Sequence, residues 1–336
     1  MDKRKIYVVD TTMRDGSHAV SHSYTEEQVT AIAAALDQVG VPFIEISHGD
    51  GIAGSSYNYG HSLVSEKKLL SAANEVIKNA KLTALLLPGI GTVADLREVQ
   101  KLGVKAVRVA THCTEADVGE QHIKAAKDMG MFAVGFLMMA HMIEPDALVE
   151  QALKMQSYGA DYINLADSAG YLLPEGVEKR ITALKSALDI PVGFHAHNNL
   201  GVAVANSLKA IEAGASYIDV TCRGLGAGAG NCQAEVLVGI LDREKTVETG
   251  IDFYGLMDVA ENIVEPLMQR PQVIRSTPLM LGYAGVYSSF LLHTQRAAER
   301  FGLDPRSILV ELGRRRMVGG QEDMIVDVAY QMTKNK

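Results

Sequence analysis

Short apolar runs rich in β-branched residues alternate with amphipathic stretches through the first two thirds of the chain. The runs fall at residues 6–9, 43–47, 82–87, 106–110, 132–137, 162–165, 192–195 and 217–220. Short and almost wholly apolar, they read as buried strands of a parallel sheet. Between them lie segments with helical spacing. Thr25-Glu-Glu-Gln28 opens the first with a capping-box pattern, and Val29, Ile32, Ala33 and Leu36 follow on one face. Further helical stretches fall at 66–77, 92–101, 115–128, 145–157, 174–187 and 201–213. Four helix-to-strand joints share one form: Gly40, Gly103, Gly159 and Gly214 each suit the left-handed position that ends a helix, and a strand begins at once.

Eight such alternations with short joints predict an α/β fold, a (β/α)8 TIM barrel. An open doubly wound sheet is the rival, but it would carry a glycine-rich phosphate loop after its first strand, and Asp10-Thr-Thr-Met-Arg-Asp-Gly-Ser-His18 is not one. After residue 250 the alternation stops. Stretches at 253–268, 288–301 and 321–334 look helical, with Pro266, Pro271, Pro278 and Pro305 as breaks and Asp304-Pro305 as a helix start. The expected division is a barrel over 1–262 and a small helical C-terminal domain over 263–336.

Composition narrows the function classes. Over 336 residues, a net charge of −8 argues against non-specific nucleic-acid binding, which needs a basic face. No apolar run reaches the roughly 18 residues of a membrane span. Met1-Asp-Lys-Arg-Lys5 leads into a strand with no signal-peptide core behind it. Cys113, Cys222 and Cys232 have no close-spaced metal pattern and read as reduced thiols of a cytoplasmic protein.

Active sites of such barrels sit at the C-terminal ends of the strands, which points to Asp15, Glu45, His48, His112, Asp167, His195 and His197. His195 and His197 stand two apart after the seventh strand, so both rings can face one ion. Two imidazoles need at least one carboxylate to complete an open metal site, and Asp15, from the strand next but one in a closed barrel, is the best candidate. Mixed nitrogen and oxygen ligands suit Mn²⁺, Mg²⁺, Fe²⁺ or Co²⁺, and the missing cysteine ligand weakens a structural zinc. The run Gly224-Leu-Gly-Ala-Gly-Ala-Gly-Asn231 is either an anion cradle or a tight turn closing the barrel. The glycine-rich stretch from His48 to Gly60 is either a lid or a surface loop without a role. Tyr287, among small residues of the tail, reads as core packing unless it reaches the barrel mouth.

Taken together, Asp10-Thr-Thr-Met-Arg-Asp-Gly16, His195-Ala-His-Asn-Asn-Leu-Gly201 and the glycine run resemble the metal-dependent lyase and synthase superfamily of 3-hydroxy-3-methylglutaryl-CoA lyase, isopropylmalate synthase and the pyruvate carboxylase transferase domain. Arg14-Asp-Gly-Ser-His-Ala19, Gly54-Ser-Ser-Tyr57 and Ala284-Gly-Val-Tyr-Ser-Ser-Phe290 resemble most its 4-hydroxy-2-oxovalerate aldolase family. Two departures stand out: Met13 replaces the usual leucine, and positions 224–230 lack the cysteine expected of a CoA lyase.

The resemblance implies a divalent-metal-dependent retro-aldol cleavage of 4-hydroxy-2-oxopentanoate to pyruvate and acetaldehyde through a pyruvate enolate. It implies Asp15, His195 and His197 as metal ligands, with Mn²⁺ preferred and Mg²⁺ or Co²⁺ as alternatives. Arg14 corresponds to the residue that stabilises the enolate, and His18 to the base that takes the C4 hydroxyl proton. Ser168 corresponds to a substrate contact, and Tyr287 to a tyrosine that orients hydroxyl and base. The substrate's keto and carboxylate oxygens fall at the metal, so Asp15 and His195 also border the substrate. The helical tail resembles a docking domain for an acylating acetaldehyde dehydrogenase. Two other readings remain at this point: an acyl-CoA/2-oxo acid condensing enzyme with the same metal site, and a non-catalytic barrel that binds a partner.

Overall fold

In a computed structural model, residues 3–288 and 290–334 are described. Met1 and Asp2 of the leading basic segment, and Ser289 of the tail motif, lie outside the described residues. Eight parallel strands close into a barrel: β1 (Tyr7–Met13), β2 (Phe43–Ile46), β3 (Lys81–Leu86), β4 (Ala106–His112), β5 (Phe132–Met138), β6 (Tyr162–Asp167), β7 (Val192–Ala196) and β8 (Tyr217–Val220). β1 pairs with β8 from Tyr7 opposite Tyr217 to Asp10 opposite Val220, which shuts the ring. The expected barrel is therefore the observed one, and the open sheet is excluded.

Eight helices follow the strands: α1 (Glu26–Gln38), α2 (Glu66–Val76), α3 (Val93–Lys101), α4 (Glu120–Asp128), α5 (Pro145–Ser157), α6 (Pro174–Ala187), α7 (Ala203–Glu212) and α8 (Ala234–Glu244). Thr25 and Gln28 form the reciprocal capping box that opens α1. The four joint glycines adopt φ of 90°, 95°, 103° and 113°, a region that side chains disfavour. One continuous apolar shell, from Ile6 to Val264, packs the helices on the outside of the barrel.

Inside, alternate strand residues form layers. At the N-terminal end, Phe43, Phe132, Tyr162 and Tyr217 close the bottom, with the rings of Tyr162 and Tyr217 stacked at 3.9 Å. Gly193 leaves the room for that stack, since a Cβ there would meet both tyrosines. Above them the interior turns charged, with Glu45, Arg108, Asn164 and Asp219 all buried.

The tail differs in detail from the sequence pattern. The expected helix over 253–268 is α9 (Phe253–Asp258), then a π turn (Val259–Val264) and a 3-10 turn (Glu265–Leu267) at Pro266. The expected helices over 288–301 and 321–334 are found as α11 (Phe290–Phe301) and α13 (Met324–Lys334), and the expected helix start at Asp304-Pro305 opens α12 (Pro305–Arg314). Two helices had no signal read from the sequence, α8 and α10 (Ser276–Ala284). Pro278 does not break α10; it lies in the first turn, where a missing N–H costs nothing. A second apolar cluster, centred on Leu281, Phe290, Ile308, Leu312 and Val328, holds the tail together. The tail meets the barrel mouth where His141 Nε2 lies 3.2 Å from the Gly285 carbonyl and where Arg316 donates to the Met142 carbonyl. No helix among the described residues is long and apolar enough to cross a membrane.

Candidate metal centre and active site

The end of β1 sets the geometry. The Asp10 carboxylate accepts from both the N–H and the hydroxyl of Thr12, and the pairing of β1 with β2 shifts register between Asp10 and Met13. The chain then turns through a 3-10 segment, Asp15–His18, at the barrel mouth. β7 delivers the other half: His195 is its fourth residue, and His197 is the first residue past its end at Ala196.

Asp15 Oδ2 lies 3.1 Å from His195 Nε2 and 3.6 Å from His197 Nε2, and the two ring nitrogens are 3.2 Å apart. All three side chains are buried, and their atoms form a cluster able to hold a metal ion. Burial alone would raise the Asp15 carboxyl, but Arg14, His197 and His195 together hold it well below the usual carboxylate range. Burial pushes His197 down to about 4, so its ring is neutral at neutral pH and has a lone pair to offer. His195 is opposite in sign: against burial, Asp15 and Asp219 raise it.

The ring of His195 is oriented from behind. Its Nδ1 lies 2.8 Å from Asp219 Oδ2, which leaves Nε2 turned toward Asp15. A carboxylate behind a ligating histidine fixes its tautomer and raises its basicity. Asp219 is held in turn by Arg108 and by Asn164 Nδ2 at 3.3 Å. Arg108 is fully buried, lies with its guanidinium 4.5 Å from the Phe136 ring, and has Nε 3.4 Å from Glu45 Oε1. Glu45 also accepts from Arg14 Nε at 2.7 Å. A line of alternating charge thus runs Arg14–Glu45–Arg108–Asp219–His195 across the barrel interior.

Arg14 Nη1 lies 3.2 Å from Asp15 Oδ2, while its Nη2 is buried with no hydrogen-bond partner among the described residues. An unpaired N–H of a buried guanidinium is costly unless an anion or a developing negative charge meets it. Asn231, whose backbone bridges to His197, likewise has both side-chain amide atoms buried without a partner. These open polar atoms beside a deprotonated carboxylate and two imidazoles fit a divalent cation and an oxygen-rich ligand.

The remaining expected site residues surround this centre. His18 ends the 3-10 turn, half-buried, with its ring against Gly49. Ser168 Oγ accepts from the Met139 N–H at 3.1 Å, pinning a residue whose φ of 55° is left-handed. Tyr287 is half-buried, its hydroxyl 3.5 Å from Met138 Sδ, and the charges of Asp50, Asp15 and Arg14 act on it. The tail thus reaches the barrel mouth at this tyrosine. The glycine run is a turn that also serves the centre: the Ala227 N–H donates to Asp15 Oδ1 at 3.2 Å and the Ala229 N–H to Asn199 Oδ1 at 2.9 Å. Of the other strand-end candidates, Asp167 receives the N–H groups of Tyr171 and Leu172, and His112 bonds Thr114; neither joins the metal cluster. Arg108 and Asp219 were not singled out from the sequence. Their signal was a lone charge at an inward position of an apolar strand.

The fold and the centre define a class. The chain belongs to the HMGL-like family, whose profile matches residues 5–263, and a DmpG-like communication domain matches residues 272–334. Its curated relatives are more particular. It is 66% identical to the 4-hydroxy-2-oxovalerate aldolase of Moorella thermoacetica over 100% of this chain and 99% of that one. It is 60% identical to the enzyme of the same name from Carboxydothermus hydrogenoformans, covering 98% of each. Among solved structures, the carboxyl transferase domain of Rhizobium etli pyruvate carboxylase with 3-hydroxypyruvate shares the fold at a TM-score of 0.82 and 17% identity, over 99% of this chain and 61% of that one. The family resemblance read from the three motifs is borne out.

Proposed function

We propose that the protein is a divalent-metal-dependent aldolase that cleaves 4-hydroxy-2-oxopentanoate to pyruvate and acetaldehyde. One observation carries this reading: the Asp15, His195 and His197 cluster lies beside Arg14, whose buried Nη2 has no partner among the described residues. The names of the full-length relatives agree with it. Asp15, His195 and His197 are the residues that would hold the cation, Mn²⁺ by preference. When bound, the cation supplies a Lewis acid for the negative charge that gathers on the keto oxygen.

The residues divide the remaining work. His18 accepts the proton of the C4 hydroxyl, and the C3–C4 bond breaks as C4 becomes the aldehyde carbonyl. The bonding pair moves into the three-carbon fragment, and charge develops on its C2 oxygen. Arg14 is clamped by Glu45 and Asp15, so its free N–H group is aimed in advance at that oxygen and binds it more strongly as charge grows. Ser168 and Tyr287 border the substrate and fix its orientation relative to His18. C3 of the enolate then takes a proton to give pyruvate.

The tail is the second part of the proposal. With the division set at 262/263, the helical domain docks an acylating acetaldehyde dehydrogenase that receives the aldehyde. The communication-domain match and the exposed Leu279, Tyr283 and Leu292 support it. A cytoplasmic setting is supported by three free, buried thiols. The test is pyruvate release from 4-hydroxy-2-oxopentanoate by metal-stripped protein. Added Mn²⁺ should restore the rate, and His18→Ala should lose it while still binding the ion. Equal rates with and without a chelator would refute the metal, and an undiminished His18→Ala would remove the base.

A further inference from the structure

A second group of ligand-type side chains lies at the same mouth and shares no residue with the first. His18, His22 and Asp50 bring two ring nitrogens and a carboxylate oxygen within 4.8 Å of one another. All three are half-buried, open enough for an ion to enter.

The group is built rather than accidental. Ser21 and His22 are consecutive non-glycine residues with φ of 53° and 55°, a conformation that costs energy and persists only where its surroundings enforce it. The His22 N–H donates to the Ser17 carbonyl at 2.8 Å, and its carbonyl accepts from the Leu63 N–H at 2.9 Å. These bonds turn the ring inward. There Nδ1 lies 3.0 Å from Ser17 Oγ, which leaves Nε2 as the nitrogen to offer a cation. The ring stacks on His48 at 3.8 Å, and its centre is 5.0 Å from that of His18. Burial and the neighbouring imidazoles lower His22 to about 3, so it is an uncharged donor at neutral pH. Asp50 enters from the 48–60 loop, its Oδ2 3.5 Å from His48 Nδ1 and its N–H donating to the same nitrogen at 3.1 Å.

We propose that His18, His22 and Asp50 form a second divalent-cation site, able to hold borderline transition ions such as Zn²⁺ or Co²⁺. Two imidazoles and one carboxylate, the same donor set as the first centre, bind those ions more tightly than Mn²⁺ or Mg²⁺. Ligand atoms around tetrahedral zinc stand about 3.3 Å apart, so modest side-chain rotation closes the group on an ion. An ion there ties the 48–60 loop to the turn that carries His18. It also occupies the lone pair of His18, which stops the reaction; that consequence rests on His18 being the base proposed above.

The test separates the site from the consequence. Metal-stripped protein is dialysed against Zn²⁺, and the bound metal is counted by elemental analysis. Wild type should hold two ions per chain, and His22→Gln and Asp50→Asn one each. A single ion on wild type, or two on both variants, overturns the site. Rates are then followed at saturating Mn²⁺ with Zn²⁺ added, each variant normalised to its own Mn²⁺ rate. Zinc should inhibit wild type, and more Mn²⁺ should not relieve it. His22→Gln should need at least the roughly tenfold more zinc that even an outer-sphere change around a metal costs. Two bound ions with an undiminished rate would keep the site and remove His18 as base.

Discussion

The two ends of the barrel are made from the same eight strands and differ in almost every physical respect. At the N-terminal end, Tyr7, Phe43, Phe132, Tyr162 and Tyr217 pack ring against ring. At the C-terminal end the interior holds a line of buried charge, with Arg14 Nη2 and both amide atoms of Asn231 without partners among the described residues. The bottom is stabilised by area removed from water and by aromatic geometry. The mouth carries buried ions that stability alone would replace with apolar residues. Inside the barrel, ring packing lies at one end and buried charge at the other.

That contrast can be broken from either side. The largest effect is expected at the mouth, where Asp15→Asn removes the only carboxylate in the metal cluster. Metal-dependent pyruvate release should fall by about 10³-fold or more, and the melting temperature of the metal-free protein should fall as well, because buried Arg14 and His195 lose a counter-charge. Phe43→Ala should affect stability without the chemistry. It opens a cavity in the bottom layer, lowers stability by about 3–5 kcal/mol in denaturant melts, and leaves kcat within a small factor below the melting temperature. A loss of kcat matching that of Asp15→Asn would erase the distinction between the ends.

A third variant tests placement at the mouth alone. A Cβ at Gly49 would overlap the His18 ring, so Gly49→Ala should displace the base and lower kcat by about 10²-fold with the bound metal unchanged. The smallest effect is a shift in pH dependence. His195 titrates above its usual value, so protons compete with the cation there, and affinity is gained as pH rises through that raised value. Asp219→Asn removes one of its two carboxylate neighbours. The pH midpoint of metal binding should move down, and the plateau affinity should fall about 10-fold or more. An upward move would contradict the role given to Asp219.

Much of this was legible without coordinates, for physical reasons. Strand and helix alternate with different hydrophobic periods, and the joint glycines mark where each helix ends. The metal cluster was legible because two histidines at strand spacing restrict where a third ligand can come from. The charged ladder behind it was not. Arg108 and Asp219 each stand alone within an apolar strand, and only barrel closure shows that they face each other. Helix α10 escaped because Ser276–Ala284 is apolar on every side and contains Pro278, so it shows neither an amphipathic stripe nor a clean start. The His22 ring was silent as well, because a left-handed pair of non-glycine residues has no sequence signature.

The central claim is that Asp15, His195 and His197 share one cation at which the carbon–carbon bond is broken. Anomalous diffraction at the manganese edge, from crystals grown with Mn²⁺ and pyruvate, tests it most directly. The account predicts a peak within bonding distance of Asp15 Oδ2, His195 Nε2 and His197 Nε2, with pyruvate oxygens completing the shell beside Arg14 Nη2. Manganese bound elsewhere, with those three side chains packed against each other around no ion, would contradict it.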